Sequence, residues 1–148
     1  IGDRRGEGIV LGNLGLTYSH LKCYEQATDF YQQSLVVNHE VGNRRSAAID
    51  LANFGIKLTK TKQYDKALDS LTEALFITRE IGFKSGEAET LQKLAELHQA
   101  LGEVEMAQQY CQQALSLATE LGIPLVAECE TLQLNIENEK LKMEEMQA

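Results

Sequence analysis

The sequence contains an internal repeat, and no other feature constrains its fold as strongly. The segment LGNLGLTY at 11–18 recurs as LANFGIKL at 51–58 and as LQKLAELH at 91–98. A period of this length, about 40 residues, is typical of proteins that stack one supersecondary unit many times. The same shift places four glycines in one column, each after an apolar residue: Gly2, Gly42, Gly82 and Gly122.

The glycines within LGNLGLTY have a second explanation, because glycine-rich segments also form phosphate-binding loops. Such a loop follows a strand, and it needs glycine where the backbone approaches the phosphate. No strand pattern precedes this segment, and Gly12 is replaced by alanine and glutamine in the later repeats. Gly15, in contrast, is followed by Gly55 and Ala95. We therefore predict that this column of small residues lies where a neighbouring helix crosses closely.

Each repeated unit contains two helical patterns with a break between them. Leu11, Leu14 and Tyr18 follow the three-and-four spacing of a helix face, and a second such pattern begins at Tyr24. Glycine at the end of each second pattern is typical of a helix terminus that adopts positive φ. The chain is therefore predicted to be a single array of helix hairpins, with repeat 1 at 2–41, repeat 2 at 42–81, repeat 3 at 82–121 and a C-terminal helix at 122–148.

The repeated unit resembles the tetratricopeptide repeat (TPR). That family has a small residue at its eighth position, alanine at its twentieth, a large apolar or aromatic residue at its twenty-fourth and a small residue at its twenty-seventh. The 40-residue, glycine-punctuated length, in place of about 34, resembles that of the Leu-Gly-Asn repeat regulators, the kinesin light chains and bacterial signalling TPR proteins. The matching residues are Gly15, Ala27, Tyr31 and Ser34; Gly55, Ala67, Leu71 and Ala74; and Ala95, Ala107, Cys111 and Ala114.

The expected fold is all-α: a right-handed superhelical array of antiparallel helix hairpins, an α-solenoid whose first helices line the concave side. Within 122–148 the apolar residues follow alternating four-and-three spacing, with Glu139 in the one missing position, which predicts one long helix. We favour a cap over the last hairpin; the alternative is a coiled coil or a connection to another domain. The apolar positions are Leu125, Cys129, Leu132, Ile136, Met143 and Met146.

Charge and motif content exclude several classes of function. The 14 Lys and Arg against 22 Asp and Glu give a net charge of -8, so we expect no nucleic acid and no membrane partner. No membrane-spanning run and no signal peptide occur, which indicates a cytoplasmic protein. The three histidines and three cysteines form no metal-binding or catalytic pattern. We therefore predict no enzymatic activity, no metal and no cofactor.

The predicted binding surface is the side of the first helices that faces away from their hairpin partners. Asn13, Asn53 and Lys93 fall in one column and can bond the backbone of a peptide, as asparagines of this column do in the TPR family by resemblance. The isoleucines and leucine beside them form an apolar floor or, as the alternative, pack on adjacent first helices. The predicted groove residues are Ile9, Asn13, Leu16, Ile49, Asn53, Ile56, Glu89, Lys93 and Glu96, and Gly12, Ala52 and Gln92 share their face.

A row of basic residues lies where the chain enters the first helices, and glutamates precede it. We expect the two to pair locally across the turn. The alternative is a basic edge, formed by Arg5, Arg45 and Lys84, for an acidic partner segment. The full row is Arg4, Arg5, Arg44, Arg45 and Lys84, and the glutamates are Glu40, Glu80 and Glu120.

These patterns predict a protein–protein interaction scaffold that binds a peptide or helix of a partner protein in the concave groove. One alternative is a structural or regulatory segment of a larger signalling protein that packs on its own effector domain. A further alternative is a homo-oligomer formed through exposed repeat ends. The columns with which some co-chaperones bind a C-terminal carboxylate hold Gly12 and Leu16 here, so we expect no binding of chaperone tails.

Overall fold

The computed structural model describes residues 3–148, so the predicted repeat members Ile1 and Gly2 lie outside the described residues. This part of the chain forms seven α-helices and no strand. None of the seven is long and apolar enough to cross a membrane. The helices are α1 (Arg4–His20), α2 (Tyr24–Glu40), α3 (Arg44–Lys60), α4 (Tyr64–Glu80), α5 (Lys84–Ala100), α6 (Val104–Leu121) and α7 (Leu125–Gln147).

The helices divide between two compact units, Ile1–Phe83 and Lys84–Ala148. In the first unit α1 packs against α2 and α3 against α4, and α3 also contacts α1 and α2. In the second unit α5 packs against α6, and α7 packs mainly against α6. This pairing of consecutive helices confirms the predicted all-α helical-repeat fold of the solenoid type. The right-handed superhelix and the limits of the three repeats stay predictions.

All six connections between the described helices use the same type of turn. A residue with positive φ follows each helix, and the next amide donates to the carbonyl five positions earlier, as in a Schellman motif. The amide of Asn43, for example, donates to the carbonyl of Asn38 at 2.8 Å. The glycines predicted for this role are therefore confirmed. The positive-φ residues are Lys22, Gly42, Lys62, Gly82, Gly102 and Gly122.

The small residues of the predicted crossing column lie between packed helices. A Cβ atom built on Gly15 would lie 2.7 Å from Tyr31 Cδ1 on α2, and one on Gly55 would lie 2.5 Å from Leu71 Cγ on α4. Both distances are shorter than van der Waals contact, so a side chain here would push the helices apart. Ala95 is fully buried. The helix-crossing prediction is confirmed, and the alternative of a phosphate-binding loop is wrong because these glycines lie within helices.

A buried polar cluster joins the first hairpin to α3. Ser34 and Asn38 on α2 and Asp50 on α3 are all buried. Asn38 Nδ2 donates to Asp50 Oδ2 at 2.9 Å, and the Ser34 hydroxyl bonds both the Gly8 carbonyl, at 2.7 Å, and Asp50 Oδ2. A Cβ atom on Gly8 would collide with Asn38 Oδ1, and one on Gly12 with Asp50 Oδ1. These two glycines therefore make room for the cluster.

Burial raises the pKa of the Asp50 carboxyl from 3.8 to about 6, although hydrogen bonds from Ser34 and Asn38 oppose the rise. The cluster suits a protonated carboxyl, because Ser34 has one hydroxyl hydrogen and cannot donate to Gly8 and Asp50 at once. When Asp50 is protonated, its own O–H donates to Ser34 Oγ and the serine hydrogen is free for the Gly8 carbonyl. Protonation of Asp50 is thus coupled to the packing of α1, α2 and α3.

The C-terminal segment forms a single helix, α7, of 23 residues. Cys129, Leu132 and Ile136 are buried, the last two in a cluster with residues of α5 and α6. Met143 and Met146, which continue the same spacing, are 45% and 87% exposed. The stripe is uncovered at its end because α7 is longer than α6, which has 18 residues.

Candidate functional site

The predicted binding residues of α1 and α3 lie in one unit, on helices that contact each other. Ile9 and Ile49 occupy the same repeat column and are 45% and 42% exposed. Asn13 is exposed and Asn53 is half-buried, and neither side-chain amide forms a hydrogen bond within the described residues. Each amide can therefore donate to and accept from a peptide backbone. The remaining members on these helices are half-buried: Leu16 and Ile56.

This face is narrower than the sequence predicts. Gly12, Ala52 and Gln92 share it by helical spacing, yet all three are buried. Gly12 lies against Asp50 of α3, and Gln92 Nε2 donates to Glu128 Oε2 of α7 at 3.3 Å. The expectation that this column faces the groove is wrong, because Gly12 turns toward α3, Gln92 turns toward α7, and Ala52 is buried as well.

The predicted residues of α5 belong to the second unit. Glu89 is exposed, and Lys93 and Glu96 are half-buried. Beside them, a pocket of about 430 Å³ is lined by Gln92 and Glu96 from α5 and by Leu132 from α7. A continuous row through Asn13, Asn53 and Lys93 stays a prediction.

The basic row forms ion pairs, but they do not cross the turn. Arg4 pairs with Glu40, and Arg44 pairs with Glu80 at 2.6 Å. Each arginine at the start of a first helix thus bonds the glutamate that ends the second helix of its own hairpin. The expected pairing with the preceding glutamate is wrong, because antiparallel packing brings the two open ends of one hairpin together.

The residues of the predicted basic edge have different surroundings. The guanidinium of Arg45 lies over the Phe83 ring, 4.0 Å from its centroid, which is a cation–π contact. Lys84 pairs with Glu87 at 3.5 Å, one turn along α5. Arg5 is exposed. A basic edge for an acidic partner stays a prediction.

The buried cysteines are not activated for nucleophilic chemistry. Cys111 Sγ donates to the carbonyl of Cys129 at 3.4 Å. Burial raises the pKa of the Cys111 thiol to about 11 and also raises the pKa of Cys129. A reactive cysteine requires a lowered pKa instead. Residues 3–148 contain no group of three or more His, Cys, Asp and Glu side chains placed to hold a metal.

Comparison with known families agrees with the helix hairpins and their crossing residues. The sequence matches the tetratricopeptide repeat over residues 7–80, half of the chain, and again over 90–125. The chain belongs to the tetratricopeptide repeat family. Its helical-repeat fold is therefore one used for protein interaction, and TPR proteins are generally scaffolds without enzymatic activity. A search of curated proteins finds no match to the sequence.

Solved structures resemble this TPR chain closely in fold and weakly in sequence. A Rap protein complexed with Competence and Sporulation Factor has a TM-score of 0.90 at 18% identity, over 98% of this chain and 41% of that chain. The apo form of RapI has a TM-score of 0.86 at 14% identity, over 96% and 40%. The N-terminal domain of stress-induced protein-1 from C. elegans has a TM-score of 0.67 at 17% identity, over 90% and 99%. These likenesses show the fold alone, and this chain spans about two fifths of the two Rap proteins.

One buried charge in the TPR chain lies outside the residues predicted from sequence. Lys57 on α3 is only 3% exposed, and its ammonium donates to Thr28 Oγ1 on α2 at 2.5 Å. Burial, with a smaller contribution from Lys66, lowers the pKa of Lys57. The repeat alignment contained a signal for this residue, since the same column holds Thr17 and Leu97.

Proposed function

We propose that this TPR chain is a cytoplasmic protein-interaction module that binds a peptide or helix of a partner protein on the exposed face of its first helices. The observation that carries the proposal is the pair of unbonded amides, Asn13 and Asn53, on contacting helices that also expose Ile9 and Ile49. The amides can bond an extended backbone, and the isoleucines can bury apolar side chains. The proposed site also includes Leu16, Ile56, Glu89, Lys93 and Glu96.

The fold comparison supports a binding role for such a helical array. One of the Rap structures is a complex with Competence and Sporulation Factor, and its fold resembles this chain with a TM-score of 0.90. That protein therefore binds another molecule, and two fifths of its chain has the helical architecture of this one. Which partner this chain binds would depend on its own side chains, and not on those of the Rap protein.

Affinity capture with matched variants tests the proposal. The parent chain and the triple variant Asn13→Ala/Asn53→Ala/Lys93→Ala are immobilised, and bound proteins are cross-linked and identified by mass spectrometry. The control, Gln33→Ala/Thr72→Ala/Gln112→Ala, removes three exposed polar side chains from the second helices. We expect the triple variant alone to lose a protein that the parent and the control both retain. Equal capture by all three chains would contradict the proposed site.

The exposed face of α7 favours a second candidate function, a regulatory segment that packs on an effector domain. Leu134 and Leu141 lie one heptad apart, opposite the buried stripe, and are 57% and 56% exposed. Sedimentation of the parent chain and of Leu134→Glu/Leu141→Glu separates this candidate from self-association. A dimer that the double variant abolishes assigns this face to self-association, whereas a monomeric parent contradicts a homo-oligomer and leaves the face open to another partner.

A further inference from the structure

A groove runs between α2 and α4 in the first unit. Helix α3 contacts both of them, whereas no Cα atom of α2 lies within 8 Å of one in α4. Two cavities of about 740 and 850 Å³ follow this gap, and Leu35, Leu51 and Glu73 line both. Leu51 lies on the opposite side of α3 from Ile49 and Ile56, because of the 3.6-residue period. The floor of the groove therefore faces away from Ile49 and Ile56, although Lys57 at one end of it lies one helical turn from Asn53.

The lining of the first cavity includes a buried cation. The ammonium of Lys57 has three donor hydrogens, and among the described residues it has one hydrogen-bond acceptor, Thr28 Oγ1, and a ring contact with Phe54 at 5.3 Å. No carboxylate of the described chain lies within 4.0 Å of it. The nearby charge that acts on it is Lys66 of α4, which is also a cation and also lines this cavity. A buried ammonium is costly unless it is paired, so this end of the groove favours an incoming anion.

The second cavity is lined by exposed apolar side chains. Val36 on α2 and Phe76 on α4 occupy the same repeat column and are 58% and 64% exposed. Leu35 and Ile77 lie beside them in the lining. Large apolar side chains that share one concave surface are typical of an interaction site.

The charges around the first cavity restrict the ligand further. Four exposed carboxylates line the cavity, and none of them pairs with Lys57: Glu25, Asp29, Asp69 and Glu73. They would repel a polyanion and would attract basic side chains. A single carboxylate with neutral or basic neighbours therefore fits this part of the groove.

We propose that the α2–α4 groove is a second docking surface, for a peptide segment that carries one carboxylate next to bulky apolar side chains. The carboxylate pairs with Lys57 and Lys66, and the apolar side chains fill the space between Val36 and Phe76. The lysine then gains the partner that the chain itself does not supply. This surface is centred on α2 and α4, whereas the first-helix site is centred on α1 and α3.

Selection from a random nonapeptide phage library on the parent chain tests this inference. We expect selected peptides to contain one Asp or Glu beside Leu, Ile or Phe. A synthetic peptide of that sequence is then titrated by fluorescence anisotropy against Lys57→Met and against Lys60→Met, an exposed control on the same helix. We expect Lys57→Met to weaken binding by about tenfold or more, and Lys60→Met and Asn13→Ala, on α1, to leave it unchanged.

Thermal melting of Lys57→Met separates binding from a structural role. Because the variant removes a buried and poorly paired charge, we expect its melting temperature to rise by roughly 2–4 °C. If Lys57→Met does not fold, the substitutions Val36→Ser and Phe76→Ser, at exposed positions, test the groove instead. Both should weaken peptide binding by about tenfold.

Several results would overturn the inference. These are the selection of no peptide, the selection of peptides without a carboxylate, unchanged binding by Lys57→Met, or unchanged binding by both exposed substitutions. Loss of binding with Asn13→Ala, and not with Lys57→Met, would assign the peptide to the first-helix site, which supports the proposed function and contradicts the α2–α4 groove.

Discussion

Gly55 is the residue at which the helix crossing of the second hairpin can be tested most simply. A side chain there would have to displace Leu71, which is fully buried. We predict that Gly55→Leu lowers the free energy of unfolding by roughly 1–3 kcal/mol or more, as measured by urea denaturation. Lys60→Leu, on the exposed side of the same helix, should change it by less than about 0.5 kcal/mol. A Gly55→Leu variant as stable as the parent would show that the helices do not cross there.

Asp50 should give the protein a pH-dependent stability with an unusual sign. Its pKa of about 6 in the folded state exceeds the ordinary 3.8, so the folded chain holds the proton more tightly than the unfolded chain. The contribution of Asp50 to the free energy of unfolding therefore falls as pH rises from about 4 to about 6, and it is constant above that range.

The variant Asp50→Asn lacks this titration and measures it by difference. We predict that, between pH 4.5 and pH 7, the variant becomes more stable relative to the parent by roughly 1–3 kcal/mol. Urea denaturation at a series of pH values gives the two curves, and Asp69→Asn, which changes an exposed carboxyl on α4, is the control. A parent-minus-variant difference that does not change with pH would contradict the raised pKa.

The glycines show which residue contacts could be predicted from sequence. The close contact of Gly15 was predictable because Gly55 and Ala95 repeat it. The close contacts of Gly8 and Gly12 were not predictable. Their neighbours, Asn38 and Asp50, form a polar cluster that occurs at one repeat junction only. A contact that occurs once leaves no periodic signal in the sequence.

At the scale of the elements, the same turn geometry ends each of the first six helices. The turns at the ends of the second helices have glycine, as predicted. The turns inside the hairpins also have a residue with positive φ, and these residues are Lys22, Lys62 and Gly102. Their φ values lie between 62° and 75°. The left-handed conformation costs roughly 1–2 kcal/mol for a residue with a Cβ atom.

Two of these turns should therefore be improved by substitution. We predict that Lys22→Gly and Lys62→Gly each raise the free energy of unfolding by about 0.5–1 kcal/mol, because they relieve the left-handed backbone. Gly102→Lys should lower it by a similar amount. Chemical denaturation of the three variants measures both the expected gain and the expected loss in the free energy of unfolding. Destabilisation by both glycine substitutions would show that these lysines stabilise the turns through their side chains.

The order of the helices was predictable because the apolar spacing and the glycines repeat with the same period. The ion pairs of Arg4 and Arg44 were not predictable in this way, since proximity in sequence suggested Glu40 as the partner of Arg44. The observed partners lie at the far end of the hairpin sequence, where the second helix stops. Such pairs depend on how helices pack, which spacing along one helix does not determine.

At the scale of the whole molecule, the packing of the hairpins leaves some side chains of the first helices exposed. Helical spacing was sufficient to find Ile9, Asn13, Ile49 and Asn53 as accessible positions, and it wrongly included Gly12. It did not place Lys57 in a groove: its column, which also holds Thr17 and Leu97, marks the lysine as unusual, but its burial and its single acceptor depend on other helices. Sequence spacing thus predicts which side of a helix is open, whereas the chemistry of a groove depends on three helices together.

Hydrogen–deuterium exchange of the chain with and without its captured partner tests the central claim most directly. The partner for this measurement is the protein retained by the parent and lost by Asn13→Ala/Asn53→Ala/Lys93→Ala. We predict that binding slows exchange in α1 and α3, where Asn13 and Asn53 lie. Slower exchange confined to α2 and α4, with α1 and α3 unchanged, would contradict binding on the first helices.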